Sequence, residues 1–154
     1  LNGRKNPKLP LTQTERSKLR SSKVKLSEIH NLQLDDLIKI LDITNERAKF
    51  LIGLSTFQQI PSIGYELAHK LVNLGYYSID QIKDEEWAEL FNRLEVRLGC
   101  WTDPCVEDQI ICVIHHANNP DSEKQWFDFT RERKEFRQKF GYPKSRPKIP
   151  WYDI

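Results

Sequence analysis

Three stretches of the chain carry residue types that could do chemistry. The first runs Phe57-Gln-Gln-Ile-Pro-Ser-Ile-Gly-Tyr-Glu-Leu-Ala-His-Lys-Leu-Val-Asn-Leu-Gly75. Pro61 denies the preceding residue a helical conformation, Gly64 tolerates backbone geometry and close approach forbidden to bulkier residues, and Leu67, Ala68, Leu71 and Val72 resume a helical face. The stretch reads as helix, tight hairpin, helix over about 54–75. Such a hairpin leaves the backbone N–H groups of Ile63, Gly64, Tyr65 and Glu66 at the positive end of a helix dipole, where they can grip a phosphate whatever the base sequence. Ser62 precedes these amides, and His69 and Lys70 lie one to two turns on, where they can add contacts. The Glu66 carboxylate competes for the same positive end. On residue chemistry alone two readings stand: a phosphate grip, or a hairpin that only packs neighbouring helices.

The second stretch places Cys105, Cys112 and His116 at i, i+7 and i+11 along one helix face. A metal site needs a further ligand and tighter spacing, and C-x2-C is absent, so these read as core residues. Cys105, two residues after Asp103 and next to Pro104, falls in a helix's first turn, where the dipole lowers a thiol pKa; Asp103 opposes that lowering. The third stretch sets Trp126, Phe127 and Phe129 before Arg131, Arg133, Lys134, Arg137 and Lys139. It reads as a helix docked by its aromatics, with single-strand stacking as the functional alternative. Trp151 and Tyr152 invite the same two readings, or contact with a partner chain. No Gly-rich loop with Lys and Ser/Thr, no His-Glu-x-x-His and no Ser-His-Asp set is present, so a non-enzyme is expected, with no metal.

The elements that must position these residues are helical. Thr12 with Glu15 makes a capping box for a helix to about Arg20. Leu26, Ile29 and Leu32, then Leu34, Leu37, Ile38 and Leu41, fit two short helices, and Thr44 caps the next, with Leu54 and Phe57 extending its apolar face. Gly75 closes a helix in a left-handed conformation, and Ser78 with Gln81 caps another near Ile79. Trp87 to Leu98 is strongly amphipathic and stops at Gly99. Asp103-Pro104 opens a buried helix over 105–117, and a last helix runs from about Ser122 to Lys139. Ile43 to Leu51 matches Ile63 to Leu71 at an offset of twenty in Ile, Glu, Ala and Leu, which suggests a degenerate duplicated hairpin. No strand is evident. The expectation is an all-α chain: one compact domain of about eight short helices over 11–140, a flexible basic arm at 1–10, and a Pro-containing basic tail at 141–154.

At 154 residues with 10% aromatics the chain can bury a core of its own. No apolar run could span a bilayer, and three cysteines without a pairing framework fit a reducing compartment, so the cytoplasm is expected and a membrane is not. Charge is segregated: residues 1–26 carry eight Lys/Arg against one Asp/Glu, residues 27–130 eight against eighteen, and residues 131–154 eight against three. Basic ends either lie back on the acidic body or reach for an anionic partner such as nucleic acid.

The run Ile60-Pro61-Ser62-Ile63-Gly64 with Ala68, Leu71, Gly75 and Ser78 resembles the helix-hairpin-helix motif of DNA-repair and recombination proteins. With Asp103-Pro-Cys105-Val, Cys112, His-His-Ala-Asn-Asn and Trp126-Phe-Asp-Phe129, the chain resembles the bacterial pathogenicity-locus family of small helix-hairpin-helix proteins over about residues 35–150. The resemblance implies an all-helical DNA-binding accessory protein that contacts the phosphate backbone through Ser62, Ile63, Gly64, Tyr65, Glu66, His69 and Lys70. It also implies a monovalent cation at the carbonyls of Ile60 and Ile63 when DNA is bound; no other cofactor is expected. Ser62 replaces the first glycine commonly found in that hairpin. The alternative is a protein-interaction module with a purely structural hairpin, reaching its partner through the basic ends.

Overall fold

The computed structural model describes residues 5–154. Among the described residues every regular element is a helix. The α-helices are α1 (Gln13–Ser21), α2 (Leu34–Leu41), α3 (Asn45–Gln58), α4 (Tyr65–Asn73), α5 (Ile79–Ile82), α6 (Trp87–Leu98), α7 (Pro104–Asn118) and α8 (Thr130–Phe140). Short 3-10 helices lie at Leu26–Asn31, Trp126–Phe129 and Trp151–Asp153. The only extended pairing among these residues is an isolated bridge between Trp101 and Pro150. Among the described residues no helix is long and apolar enough to cross a membrane. The chain divides into two compact units, residues 1–81 and 82–154.

In the first unit, local caps set the helix starts. Thr12 and Glu15 form the reciprocal capping box of α1, and the Thr44 hydroxyl accepts the Arg47 N–H at 3.1 Å to cap α3. α3 runs on unbroken through Leu54 and Phe57 and is buried along all of Leu51–Gln58, so it is the core helix, with α2, α4 and the 26–31 turn packed on it. Close approach is needed at Gly53: a Cβ there would meet Val72 Cγ2 at 2.8 Å and the Tyr77 Cα at 3.1 Å. The amino-terminal arm, expected to be flexible, is docked where it is described; residues 1–4 lie outside the described residues. Pro7 and Leu9 are buried. Gln58 and Gln59, each 5% exposed, hold the arm by two-way amide bonds. Gln58 bonds both N–H and C=O of Lys8, at 2.9 Å each, and Gln59 bonds those of Lys5 at 3.2 and 2.8 Å. Buried side-chain amides need such partners, and the arm's unpaired backbone supplies them.

In the second unit α7 is the central helix, and it buries two adjacent carboxylates, Glu107 and Asp108. Buried charges need paired, hydrogen-bonded partners, and the carboxyl-terminal segment brings them. Arg137 Nε donates to Glu107 at 2.6 Å and the Tyr142 hydroxyl donates to Glu107 at 2.9 Å; Arg133 and the Thr130 hydroxyl bind Asp108. Arg146 makes a two-point contact with buried Glu95 of α6 at 2.7 and 3.1 Å. The Tyr142 ring lies 4.2 Å from the Arg137 guanidinium and 3.7 Å from that of Arg146. The tail then pairs with Trp101, which donates to Ile149 O at 2.8 Å and accepts from Trp151 N at 2.9 Å. The last helix begins later than its composition suggests. Ser122 is engaged by His115 at 2.8 Å and by the Lys124 N–H, and Asp128 caps the Trp126–Phe129 turn from the Gln125 N–H, so α8 starts only at Thr130.

Two predictions follow from these ion pairs. Arg137→Met leaves Glu107 buried without its cation and should lower stability by about 3–5 kcal/mol in denaturant unfolding. In the first unit, hydrogen bonds from the Arg47 guanidinium at 2.8 and 3.1 Å hold the Glu15 carboxyl below the usual carboxylate range. That stabilisation is present above the unfolded-chain value of ~4.3 and is lost as pH falls through the lower folded value. Glu15→Gln should therefore flatten the acid limb of the stability–pH curve.

Candidate functional site

The connection between α3 and α4 is built around two buried isoleucines, Ile60 at 0% and Ile63 at 1% exposure. Between them the chain must reverse within two residues. Pro61 fixes one φ, Ser62 sits in the left-handed region at φ 64°, and Ile63 N–H closes the turn on Ile60 O at 3.1 Å. Gly64 follows as the N-cap of α4 with φ −104° and ψ −170°, extended geometry open to any residue. The left-handed position is therefore Ser62. A Cβ on Gly64 would meet nothing within 4 Å, so the space over the start of α4 is open to an approaching group.

Ile63 N–H is engaged within the turn and does not face a ligand, which corrects the expectation that it would donate to a phosphate. The first intrahelical bond is Ala68 N–H to Gly64 O at 3.2 Å. The amides of Tyr65, Glu66 and Leu67 precede it, and Gly64 supplies no side-chain cap. Leu67 adds an amide donor that its apolar side chain, buried in the core, does not announce in the sequence. Gly64 and Glu66 are exposed, and Ser62, Tyr65, His69 and Lys70 are half-buried. The His69 ring lies 5.6 Å from that of Tyr65 and edge-on to Phe50 of α3 at 5.9 Å. Asn73 Nδ2 is 3.2 Å from His69 Nδ1, an arrangement that makes Nδ1 the acceptor and leaves Nε2 the N–H. A cation also reaches the turn: Lys5 Nζ donates to Ile60 O at 3.1 Å. Burial pushes the Lys5 ammonium below its usual range.

The entries to α3 and α4 share a left-handed residue but not a hydrogen-bond pattern: Ile43 N–H reaches back to Ile38 O, whereas Ile63 N–H closes on Ile60 O. Asp42, Ile43, Thr44 and α3 repeat as Ser62, Ile63, Gly64 and α4 at the offset of twenty seen in the sequence, and both Asp42 (φ 54°) and Ser62 (φ 64°) are left-handed. The two copies differ at the cap. Thr44 covers its helix start with a hydroxyl, whereas Gly64 leaves its own bare.

The pathogenicity-locus family model (Cdd1) matches residues 51–135, more than half of the chain, from within α3 to within α8. The chain belongs to the Cdd1 family. The Cdd1 match includes the second turn and α7; α1 and the first turn lie outside it. A mitomycin resistance protein, McrB, of Streptomyces lavendulae is 26% identical over 80 residues, which cover 52% of this chain and 75% of that protein. No solved structure matches.

Elsewhere in this Cdd1 member, Cys112 and His116 are buried on α7, as their spacing on its apolar face suggests. His116 Nε2 donates to Lys124 O at 2.7 Å, and Cys112 Sγ lies 4.0 Å from the same carbonyl. Among the described residues no three His, Cys, Asp or Glu side chains gather as metal ligands. Cys105 N–H donates to Asp103 Oδ1 at 2.8 Å in the capped first turn of α7. Burial, with Asp103 beside it, pushes the Cys105 thiol up, away from nucleophilic character at neutral pH.

Because Ser62 bears the left-handed strain, Ser62→Gly should leave the turn intact and raise stability by up to about 1 kcal/mol. Thermal unfolding of the two proteins checks this.

Proposed function

We propose that the protein is a non-enzymatic, sequence-independent DNA-binding accessory protein that seats a backbone phosphate on the amides opening α4. The observation that carries this reading is the contrast between the two turns. Both α3 and α4 are entered through a left-handed residue two positions before the N-cap, yet the Thr44 hydroxyl takes an opening amide of α3 while Gly64 gives α4 no side-chain cap and leaves open space over it. Unsatisfied amides at a helix start cost stability, and an anion with phosphate geometry satisfies them.

In this reading the α3–α4 turn is the helix-hairpin-helix of the family resemblance. His69 Nε2 and Lys70 add donors one turn on, and Glu66 weakens the site. Lys5 places a tethered ammonium on one of the two carbonyls, Ile60 and Ile63, that the resemblance assigns to a monovalent cation. The contacts are to phosphate alone, so binding is independent of base sequence and steeply dependent on salt. The name of the Streptomyces relative adds mitomycin resistance as a setting for the same role. A protein-interaction role is the second reading. It rests on the exposed Trp151 and Tyr152, whose rings stand 5.4 and 5.9 Å from that of Trp101.

Gly64→Asp separates these readings. An aspartate suits the N-cap geometry, meets nothing in space, and caps α4 with its own carboxylate. It should raise stability by roughly a few tenths of a kcal/mol while removing DNA binding, measured by fluorescence anisotropy with short duplex and single-stranded DNA across a salt series. No binding by the wild-type chain at low salt, or binding that Gly64→Asp leaves unchanged, would overturn the proposal.

A further inference from the structure

The two basic ends have different fates. At the carboxyl-terminal end Arg133, Arg137 and Arg146 are bound to buried carboxylates. At the amino-terminal end the one carboxylate, Glu15, is held by Arg47, and Arg16, Arg20 and Lys25 form no ion pair among the described residues.

These three cations share one cavity. Arg16 and Arg20 stand four residues apart on the same face of α1, a like-charge spacing that is unfavourable without a counter-charge. Just beyond α1 the chain turns through a left-handed residue, Lys23 at φ 57°, and Val24 N–H reaches back to Leu19 O at 2.9 Å. This reversal brings Lys25 alongside Arg16 and Arg20 around an open cavity of about 380 Å³, with Leu19 and Val24 among its apolar walls and no carboxylate among its lining residues. Asn6 lines the same cavity, and the preceding residue is Lys5, whose ammonium sits on Ile60 O. Successive Cα atoms are about 3.8 Å apart, so the docked arm joins the cavity directly to the turn before α4. All of these groups lie in one compact unit.

We propose that the cavity of Arg16, Arg20 and Lys25 is a further phosphodiester-binding site, and that a nucleic-acid strand seated there continues over Asn6 and Lys5 to the Ile60–Gly64 turn. The continuation rests on the function proposed above; the cavity does not. Nucleic acid fits better than a phospholipid surface because the exposed residues of α1, namely Gln13, Thr14, Arg16, Ser17, Arg20 and Ser21, offer nothing apolar to insert into a bilayer.

The test uses the full chain and anisotropy with short single-stranded and duplex DNA over a salt series, with folding checked by circular dichroism. Arg16→Gln with Arg20→Gln should weaken binding uniformly across sequences and lower the slope of log affinity against log salt by about two. Lys144→Gln with Lys148→Gln removes the same charge from exposed tail positions and should leave the slope unchanged. Equal losses in the two double variants would reduce the effect to net charge and overturn the proposal. Loss on Gly64→Asp with no change in the arginine variant would also overturn it while keeping the turn; loss in the arginine variant alone would keep the cavity and retire the turn. Phosphatidylglycerol vesicles that displace DNA, and that need the same two arginines, would reassign the cavity to a membrane surface and overturn the nucleic-acid reading.

Discussion

Ile60 and Ile63 must both be buried, and the chain has only two residues in which to turn between them. That constraint fixes the α3–α4 connection. It drives Ser62 into the left-handed region, engages the Ile63 amide within the turn, and makes Gly64 the residue from which α4 departs. The amides of Tyr65, Glu66 and Leu67 open α4 ahead of its first intrahelical bond, Ala68 N–H to Gly64 O, and so point out along the helix axis. The docked arm depends on the same corner. Gln58 and Gln59 end α3 buried, with amide groups that need partners, and the backbone of Lys5 and Lys8 meets that need.

The second unit solves an opposite problem. Glu95, Glu107 and Asp108 are taken out of water and would be strongly unfavourable alone. Three arginines, the hydroxyls of Thr102, Thr130 and Tyr142, and the Tyr142 ring enclose them, and this fastens α8 and the tail. Much of the basic charge at the carboxyl-terminal end is therefore structural. The balance of +2 for the whole chain hides a division between arginines that neutralise the interior and others, on α1, that face solvent.

Much of this was legible in the sequence because it is local. The Thr12–Glu15 box, the Thr44 cap, the Asp103-Pro104 start and the stops at Gly75 and Gly99 are set by residues within one helical turn, and they stand as read. The position of the candidate site was legible too, since Pro61 and Gly64 punctuate a helical pattern. What lay beyond reach depends on tertiary partners. Gly64 and Gly53 look alike in a sequence, yet only Gly53 meets a neighbouring helix. Lys5 and Ile60 are fifty-five residues apart, and no local pattern announces that an ammonium will rest on that carbonyl. The twenty-residue repeat was visible as four matching residues. Its force lies in the backbone angles of Asp42 and Ser62, which composition does not encode.

The buried carboxylates also bear on how the protein is made. Glu95, Glu107 and Asp108 leave the ribosome before Arg133, Arg137 and Arg146, the residues that neutralise them. During that interval α7 carries two adjacent charges with nothing to bury them against, so the second unit stays open until the chain has grown past residue 146. The Glu15–Arg47 pair of the first unit is complete by then, and folding proceeds in the direction of synthesis. A ribosome stalled shortly before residue 133 would hold a chain whose first unit has its Glu15–Arg47 pair and whose second has none of the three.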